Sequence, residues 1–507
     1  MFNRREMAEL SRLALPATFS SLCFALMEVV DTAMLGLVGV GSMAGAALAS
    51  TVLFLVLALP NNFLRAIAPI AAATYGKAGT QGRVSSLSRL VASVGFMLGS
   101  AAALVVIGAT LLLPLFGYEP ELVVSARTYL IWRAPFLPIE IIFLGGWSLL
   151  DGLGKPRLTL ITGVATNLAN VIFNLLLIPG LWGLPALGVM GAAIATDISV
   201  LIGMSMIGVC LYKKGRTQNR FRLREAMVVT RSSRELLLPN RIVGRLVELG
   251  WPLGVSGLIE VIGGVVLGLV IARFGQDITA VHGIIGRLIG LGLVAASGIG
   301  VATTTLVARA VGQRIETNVR QNVRRSLAAQ VLTQTALGIL VVVGVDLYGP
   351  WLSSDSSVLG RVVSLIPLWL VILWTEGLIT VLTSVLEGLG CTRRLLWATI
   401  GDLGLLLPGA IILGLEYGLS GFYMAWLIKN IFKIVLLLRY QEVSQGSVMS
   451  GISSSRGLVL APHTPQYLQP RGVVSYFSKP SVQKSRRQAG NPHLYVYRFW
   501  PLPIPDG

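Results

Sequence analysis

Apolar runs of about 20 residues or more, separated by short polar breaks, repeat along this chain as far as residue 440. They predict twelve spans, at roughly 13–38, 43–75, 90–116, 125–150, 158–180, 187–212, 247–272, 279–308, 326–348, 361–386, 395–415 and 418–440. As a helix rising 1.5 Å per residue, each run is long enough to cross a hydrocarbon core of about 30 Å. The first run is too long for the apolar region of a secretory signal, and no small-residue cleavage site follows it. It is expected to be a first span.

Composition sharpens the picture. Only 13% of the 507 residues are charged and 54% are hydrophobic, with a mean hydropathy of +0.75. A soluble domain carries about 25% charged residues, so a soluble globule is excluded. The formal charge of +18 would point to nucleic acid in a soluble protein, but here the basic residues collect on alternate loops. Arg4, Arg5, Lys77, Arg83, Arg89, Lys155, Arg157 and ten lysines and arginines between Lys213 and Arg245 fall on one side, with Arg309, Arg314, Arg320, Arg393 and Arg394. Arg127, Arg273 and Arg361 fall on the other. The positive-inside rule then predicts both termini in the cytoplasm, a multi-pass plasma (inner) membrane location, and no nucleic-acid partner. Cys23, Cys210 and Cys391 lie in or beside spans without metal-ligand or pairing spacing and are expected to be free thiols.

Self-comparison at an offset of 236 aligns Pro16 with Pro252, Gly76 with Gly312 and Glu140 with Glu376. It also lays LLDGLGKPR (149–157) on VLEGLGCTR (385–393), so Asp151 meets Glu387. Two copies of one six-span unit are predicted. Because six is even, both enter from the same side, which gives parallel repeats about an axis along the membrane normal, an arrangement that transports by rocking. The expected organisation is an N-terminal lobe over 1–212, a basic cytoplasmic linker over 213–246, a C-terminal lobe over 247–440 and a disordered cytoplasmic tail over 441–507, rich in Pro, Ser and Gly. The basic linker and tail read as solvated charge runs rather than lipid-binding segments.

These motifs, in this order, resemble the multidrug and toxic compound extrusion (MATE) family: VDTAMLGLVG (30–39), FLR (63–65), ATYGKAG (73–79), GWSLLDGLGKPRLTL (146–160), NVIFN (170–174), GVMGAAIAT (188–196) and WPLGVSGLIE (251–260). FLR and GWSLL are similar to the DinF branch, whereas the spacing of the C-terminal acids is NorM-like. The resemblance covers residues 1–440. It implies a MATE/MOP-type fold and secondary active efflux of small, cationic or amphipathic xenobiotics, by antiport against protons or sodium with alternating access. No other cofactor is implied. The expected partners are the small-molecule substrate and membrane lipid, and the expected state is a monomer.

Seven acids fall well inside predicted spans, away from their ends: Glu28, Asp31, Glu140, Asp197, Glu260, Glu376 and Asp402. A carboxylate in hydrocarbon is costly unless it faces a cavity or a partner, so each is a functional candidate. Asp31 matches the family's first-span aspartate, and Glu28 lies one helical turn before it. Asn170 and Asn174, four apart, share a face of the fifth span, and Thr196 matches the family's sixth-span threonine. Asn174 departs from the family, which commonly has Asp there. The departure weakens a sodium site at Asp31 and Asn170, because hard cations favour carboxylates, although adjacent Asp197 could restore the charge. Coupling-ion candidates are therefore Asp31, Glu28, Asn170, Asn174, Thr196 and Asp197. Glu260 and Glu376 match the family's seventh- and tenth-span acids and are candidates for substrate or proton in the C-terminal lobe. Arg65, Arg133, Arg287, Lys429 and Lys433 also lie in spans, as counter-ions or at interfaces.

Two other classes of function fit the residues less well. A lipid-linked oligosaccharide flippase of related fold is expected to carry a strongly cationic cavity, which the acids disfavour. An integral-membrane transferase needs a catalytic His, Asp or Cys set. His282 is the only histidine in the spans, and it reads as a hydrogen-bonding interior residue.

Overall fold

The computed structural model describes residues 4–36, 38–76, 84–225, 239–352 and 356–456. Within these the chain is built from fourteen α-helices: α1 (Arg4–Gly36), α2 (Val40–Arg65), α3 (Ile67–Gly76), α4 (Val84–Leu112), α5 (Pro120–Arg133), α6 (Leu137–Gly152), α7 (Pro156–Leu177), α8 (Gly188–Glu225), α9 (Pro239–Ala272), α10 (Gln276–Gln313), α11 (Glu316–Leu352), α12 (Ser356–Ser364), α13 (Ile366–Leu389) and α14 (Thr392–Arg456). Some are pieces of one span: α2 runs on into α3 and α5 into α6.

Among the described residues, eleven continuous segments are long and apolar enough to cross a membrane. The last, Thr392–Ser444, has 53 residues, about 80 Å of helix and more than twice the hydrocarbon core. Gly418, at φ 60 and ψ −139, interrupts it between the expected eleventh and twelfth spans. Helix also reaches into segments expected to lie outside the lobes. α8 extends to Glu225 and α9 begins at Pro239, which narrows the linker from both ends, while α14 continues past residue 440 to Arg456. Residues 226–238 and the tail over 457–507 lie outside the described residues.

The repeat is visible in the packing. Gly152 lies against the backbone of Ala68 and Gly388 against the backbone of Thr304, the same contact 236 residues on. Gly154 and Gly390, with φ of +68 and +76, close α6 and α13 in the left-handed region that favours glycine. Across the molecule the partners are exchanged: α1 packs on α10, and α2 packs on α9.

Apolar packing is divided unequally between the halves of the spans. One cluster (Leu35, Leu53, Tyr129, Leu137) is confined to the N-terminal six spans, and another (Leu267, Ile285, Trp369, Phe422) to the C-terminal six. Two others join the halves: Leu10, Leu13 and Ala14 with Ile299, Leu306 and Val381, and Leu64 and Leu149 with Leu249, Leu253, Leu386 and Leu395. The joining clusters sit toward the N-terminal ends of α1 and α9. There a Cβ on Gly254 would stand 3.0 Å from the Leu59 carbonyl, so glycine brings the two helices closer than most side chains would allow. Glu6 adds an ion pair with Arg325 at 2.6 Å. The lobes are thus tied together at one end of the spans, and each has its own core toward the other.

Candidate functional site

Between the lobes lies a cavity of about 760 Å³. α1, α2 and α6 contribute Ser21, Asn62, Arg65, Trp147 and Asp151, and α9, α10, α13 and α14 supply the opposite wall. The acids that line it are largely matched by cations. Lys433 Nζ is 3.3 Å from Glu260 and 3.1 Å from Asp402, and Lys429 Nζ is 3.3 Å from Glu376 and 3.6 Å from Asp402. The Trp426 indole donates to Glu376 at 2.7 Å, and Lys429 lies 5.7 Å from the centre of the same ring. Trp426, Lys429 and Lys433 are spaced i, i+3 and i+7, and so share one face of α14. Three carboxylates and two ammonium groups leave one formal negative charge. Glu260, whose side chain is 55% exposed, is the acid presented to the cavity. Lower in the cavity, Arg65 pairs with Glu387 at 3.0 Å, and Asp151 accepts a hydrogen bond from Thr159.

A second polar cluster lies inside the N-terminal lobe. Asn174 Nδ2 donates to Asp31 Oδ1 at 2.5 Å, and Thr196 donates to Oδ2 at 3.1 Å. Asn174 Nδ2 also reaches Asn170 Oδ1 at 3.1 Å, and Asn170 Nδ2 reaches Thr196 at 3.4 Å. α1, α7 and α8 therefore bring Asp31, Asn170, Asn174 and Thr196 together, with both asparagines fully buried. None of the four lines the central cavity. The Thr196 hydroxyl has one proton and two acceptors, Asp31 and the Ala192 carbonyl at 3.0 Å. Asn174 Oδ1 is buried without a hydrogen-bond partner among the described residues.

Asp197 does not join this cluster. Its neighbour Thr196 faces Asp31, and the turn of α8 sends Asp197 to Arg133, with which it makes an ion pair. Arg133 also holds Glu140 at 2.6 Å, and the three side chains are 9% exposed or less. Restoration of the charge missing at Asn174 by direct contact from Asp197 is therefore not the arrangement found. Arg133, by contrast, is close enough to Asp31 to interact with it electrostatically. Glu28 lies on α1, but its side chain is outside the described residues. His282 bonds to the Tyr423 hydroxyl at 3.0 Å within an aromatic group, as an interior residue should.

Sequence reasoning found the acids but not their pairing. Asp402 is among the span acids but belongs to neither candidate site read from the sequence, and nothing in the sequence marks Trp426. The available signal was the i, i+4 spacing of Lys429 and Lys433, two cations on one face of an apolar helix, which requires acids opposite.

A model of the MatE family matches residues 16–176 and again 252–412. The chain belongs to the MatE family. The two matches are offset by 236 residues, the spacing of the internal repeat. Among relatives of this MATE protein, a probable multidrug resistance protein NorM of Photorhabdus laumondii is 23% identical over 461 residues, covering 89% of this chain and 99% of its own. A protein of the same description from Bradyrhizobium diazoefficiens is 26% identical over 454 residues, covering 87% and 94%. The fold is that of the Vibrio cholerae MATE transporter VcmN in its bent form (TM-score 0.75, 18% identity, 89% and 98% covered). It is equally that of an outward-facing multidrug resistance MATE family transporter of the MOP superfamily (TM-score 0.75, 20% identity, 88% and 97% covered). The protein is a multi-pass, all-helical membrane transporter of the MATE type.

Proposed function

We propose that this MATE transporter exports small cationic or amphipathic compounds by antiport against protons, with the lobes rocking about the central cavity. The observation that carries the reading is the division of labour between two sites. A cavity between the lobes presents one exposed acid, Glu260, in a lining that also holds Trp426 and Trp147, which suits an aromatic cation. A separate buried carboxylate, Asp31, sits among groups that can serve it with or without a proton. When Asp31 is ionised, Thr196 and Asn174 donate to it. When it is protonated on Oδ2, its hydroxyl can donate to Thr196 Oγ1, whose own proton turns to the Ala192 carbonyl; when the proton is on Oδ1, a flipped Asn174 amide can offer the acceptor instead.

Two features favour the proton over sodium. The oxygens of Asp31 face N–H and O–H donors, and Asn174 supplies no second carboxylate for a hard cation. In the C-terminal lobe the acids are already matched by Lys429 and Lys433, two tethered cations. The acidic cavity argues against an oligosaccharide flippase, and family membership against an enzyme. We further propose that the protein works as a monomer in the plasma membrane with both termini cytoplasmic, on the strength of the basic loops.

The test is efflux of ethidium from proteoliposomes under an imposed proton gradient and then a sodium gradient, for wild type and Asp31→Asn. Proton-driven efflux by wild type, reduced at least about tenfold in the variant, is expected. Sodium-driven efflux alone would reverse the choice of ion. Transport of anionic or lipid-linked substrates with no efflux of cationic dyes would reverse the choice of substrate.

A further inference from the structure

A second hollow, of about 550 Å³, opens on the outer flank of the N-terminal lobe between α4, α6 and α8. Each helix turns one face to it: Ser85, Ser88, Arg89 and Ala92 on α4; Ile142, Gly146 and Leu149 on α6; Met204, Gly208, Leu211 and Tyr212 on α8. The surrounding surface is apolar and exposed, with Phe96 and Met97 on α4 and Leu201 and Val209 on α8. In a membrane protein such a flank meets lipid tails.

The hollow is polar only at one end. Ser85, Ser88, Arg89 and Tyr212 gather where α4 begins and where α8 leaves its apolar stretch, on the side of the membrane that carries the chain's N-terminus. In the sequence Arg83 precedes this rim, and Lys213 and Lys214 follow it. Arg89 is exposed and makes no ion pair among the described residues. From Tyr212 to Met204 the groove follows eight residues of α8, about 12 Å at 1.5 Å per residue. That depth is close to half of a hydrocarbon core of about 30 Å. A cation at headgroup level, above an apolar channel one leaflet deep, matches the charge and the length of a single phospholipid.

We propose that this groove binds one anionic phospholipid from the leaflet on the N-terminal side, with its phosphate at Arg89 and the Tyr212 hydroxyl and one acyl chain along Met204, Gly208 and Ile142. Arginine suits phosphate because its N–H groups meet the oxygens in pairs. The site also touches the transport pathway. α6 is a shared wall, with Gly146 and Leu149 facing the groove and Trp147, Ser148 and Asp151 facing the central cavity.

The experiment is native mass spectrometry of the full chain in detergent with equimolar phosphatidylglycerol and phosphatidylcholine of identical acyl chains. Wild type is expected to retain one phosphatidylglycerol in preference by at least about fivefold, the effect of one cation near a phosphate. Arg89→Gln should abolish the preference, and Arg89→Lys should keep most of it. Gly208→Leu, where an added Cβ meets nothing within 4 Å, should fill the channel and reduce retention of both lipids. Thermal unfolding without added lipid should match wild type for all three, which separates loss of the site from loss of the fold. Equal retention of the two lipids by wild type would overturn the proposal, as would a preference untouched by Arg89→Gln in a folded variant.

Discussion

Asp31 shows how one side chain takes its role from its neighbours. Alone in hydrocarbon it would be a liability, but beside Asn174 and Thr196 it has hydrogen-bond partners for either protonation state. Asn174 is what distinguishes this cluster from a cation cage. Replacing it by Asp puts a second carboxylate beside Asp31, and Asn174→Asp is expected to make efflux respond to sodium. The check is the rate under a sodium gradient with the proton gradient collapsed, where wild type should be inactive. The lysines of α14 allow a different test. Lys433→Met and Asp402→Asn break the same 3.1 Å contact, yet they move the charge in opposite directions. Losing the lysine leaves three formal negative charges against one positive, whereas losing the acid leaves two against two. Removing one partner of a buried pair costs about 3–5 kcal/mol when the other is stranded. Lys433→Met should therefore lower the unfolding midpoint in detergent clearly more than Asp402→Asn.

At the scale of the helix, apolar periodicity located the spans well, because a hydrocarbon slab demands about 20 apolar residues in a row and little else. It located their ends less well. α8, α9 and α14 run beyond the apolar runs, since helix can continue in water once it is nucleated, and the polar residues that end a span do not end a helix. At Gly418 the two coincide, for the helix breaks in the short polar gap marked by Glu416 and Ser420. Its φ of 60 and ψ of −139 lie in a region nearly closed to residues with a Cβ. Gly418→Ala is expected to destabilise by about 1–3 kcal/mol, read as a lower unfolding temperature. An Ala at Gly404, inside the same helix and with nothing within 4 Å of its Cβ position, should be neutral or better.

At the scale of the molecule, the two lobes hold each other through exchanged helices, α1 on α10 and α2 on α9, and the cavity lies where these pairs part. Ser21 and Ser297 face each other across that seam with their hydroxyls 3.0 Å apart. Both line the cavity. With Cys23, Cys210 and Cys391 replaced, Ser21→Cys with Ser297→Cys should form a disulfide under oxidant. Efflux should then fall at least about tenfold and return on reduction. Transport that continues in the oxidised, fully cross-linked protein would mean that the lobes do not separate along α1 and α10.

Sequence by itself determined what depends on composition along the chain: a bilayer as solvent, the number of spans, their duplication at an offset of 236, and the acids too costly to be accidental. Each of these follows from local chemistry, since apolar length and a charge within it carry the same meaning whatever packs beside them. Tertiary structure alone decided which acid meets which partner. Thr196 and Asp197 are neighbours in sequence, yet about 100° of helix rotation sends one to Asp31 and the other to Arg133. Lys429 and Lys433 were cations without assigned partners until α9 and α13 came alongside with Glu260 and Glu376. A side chain's charge is written in the sequence, but its neutralisation depends on distance, and distance between helices exists only in the packed bundle.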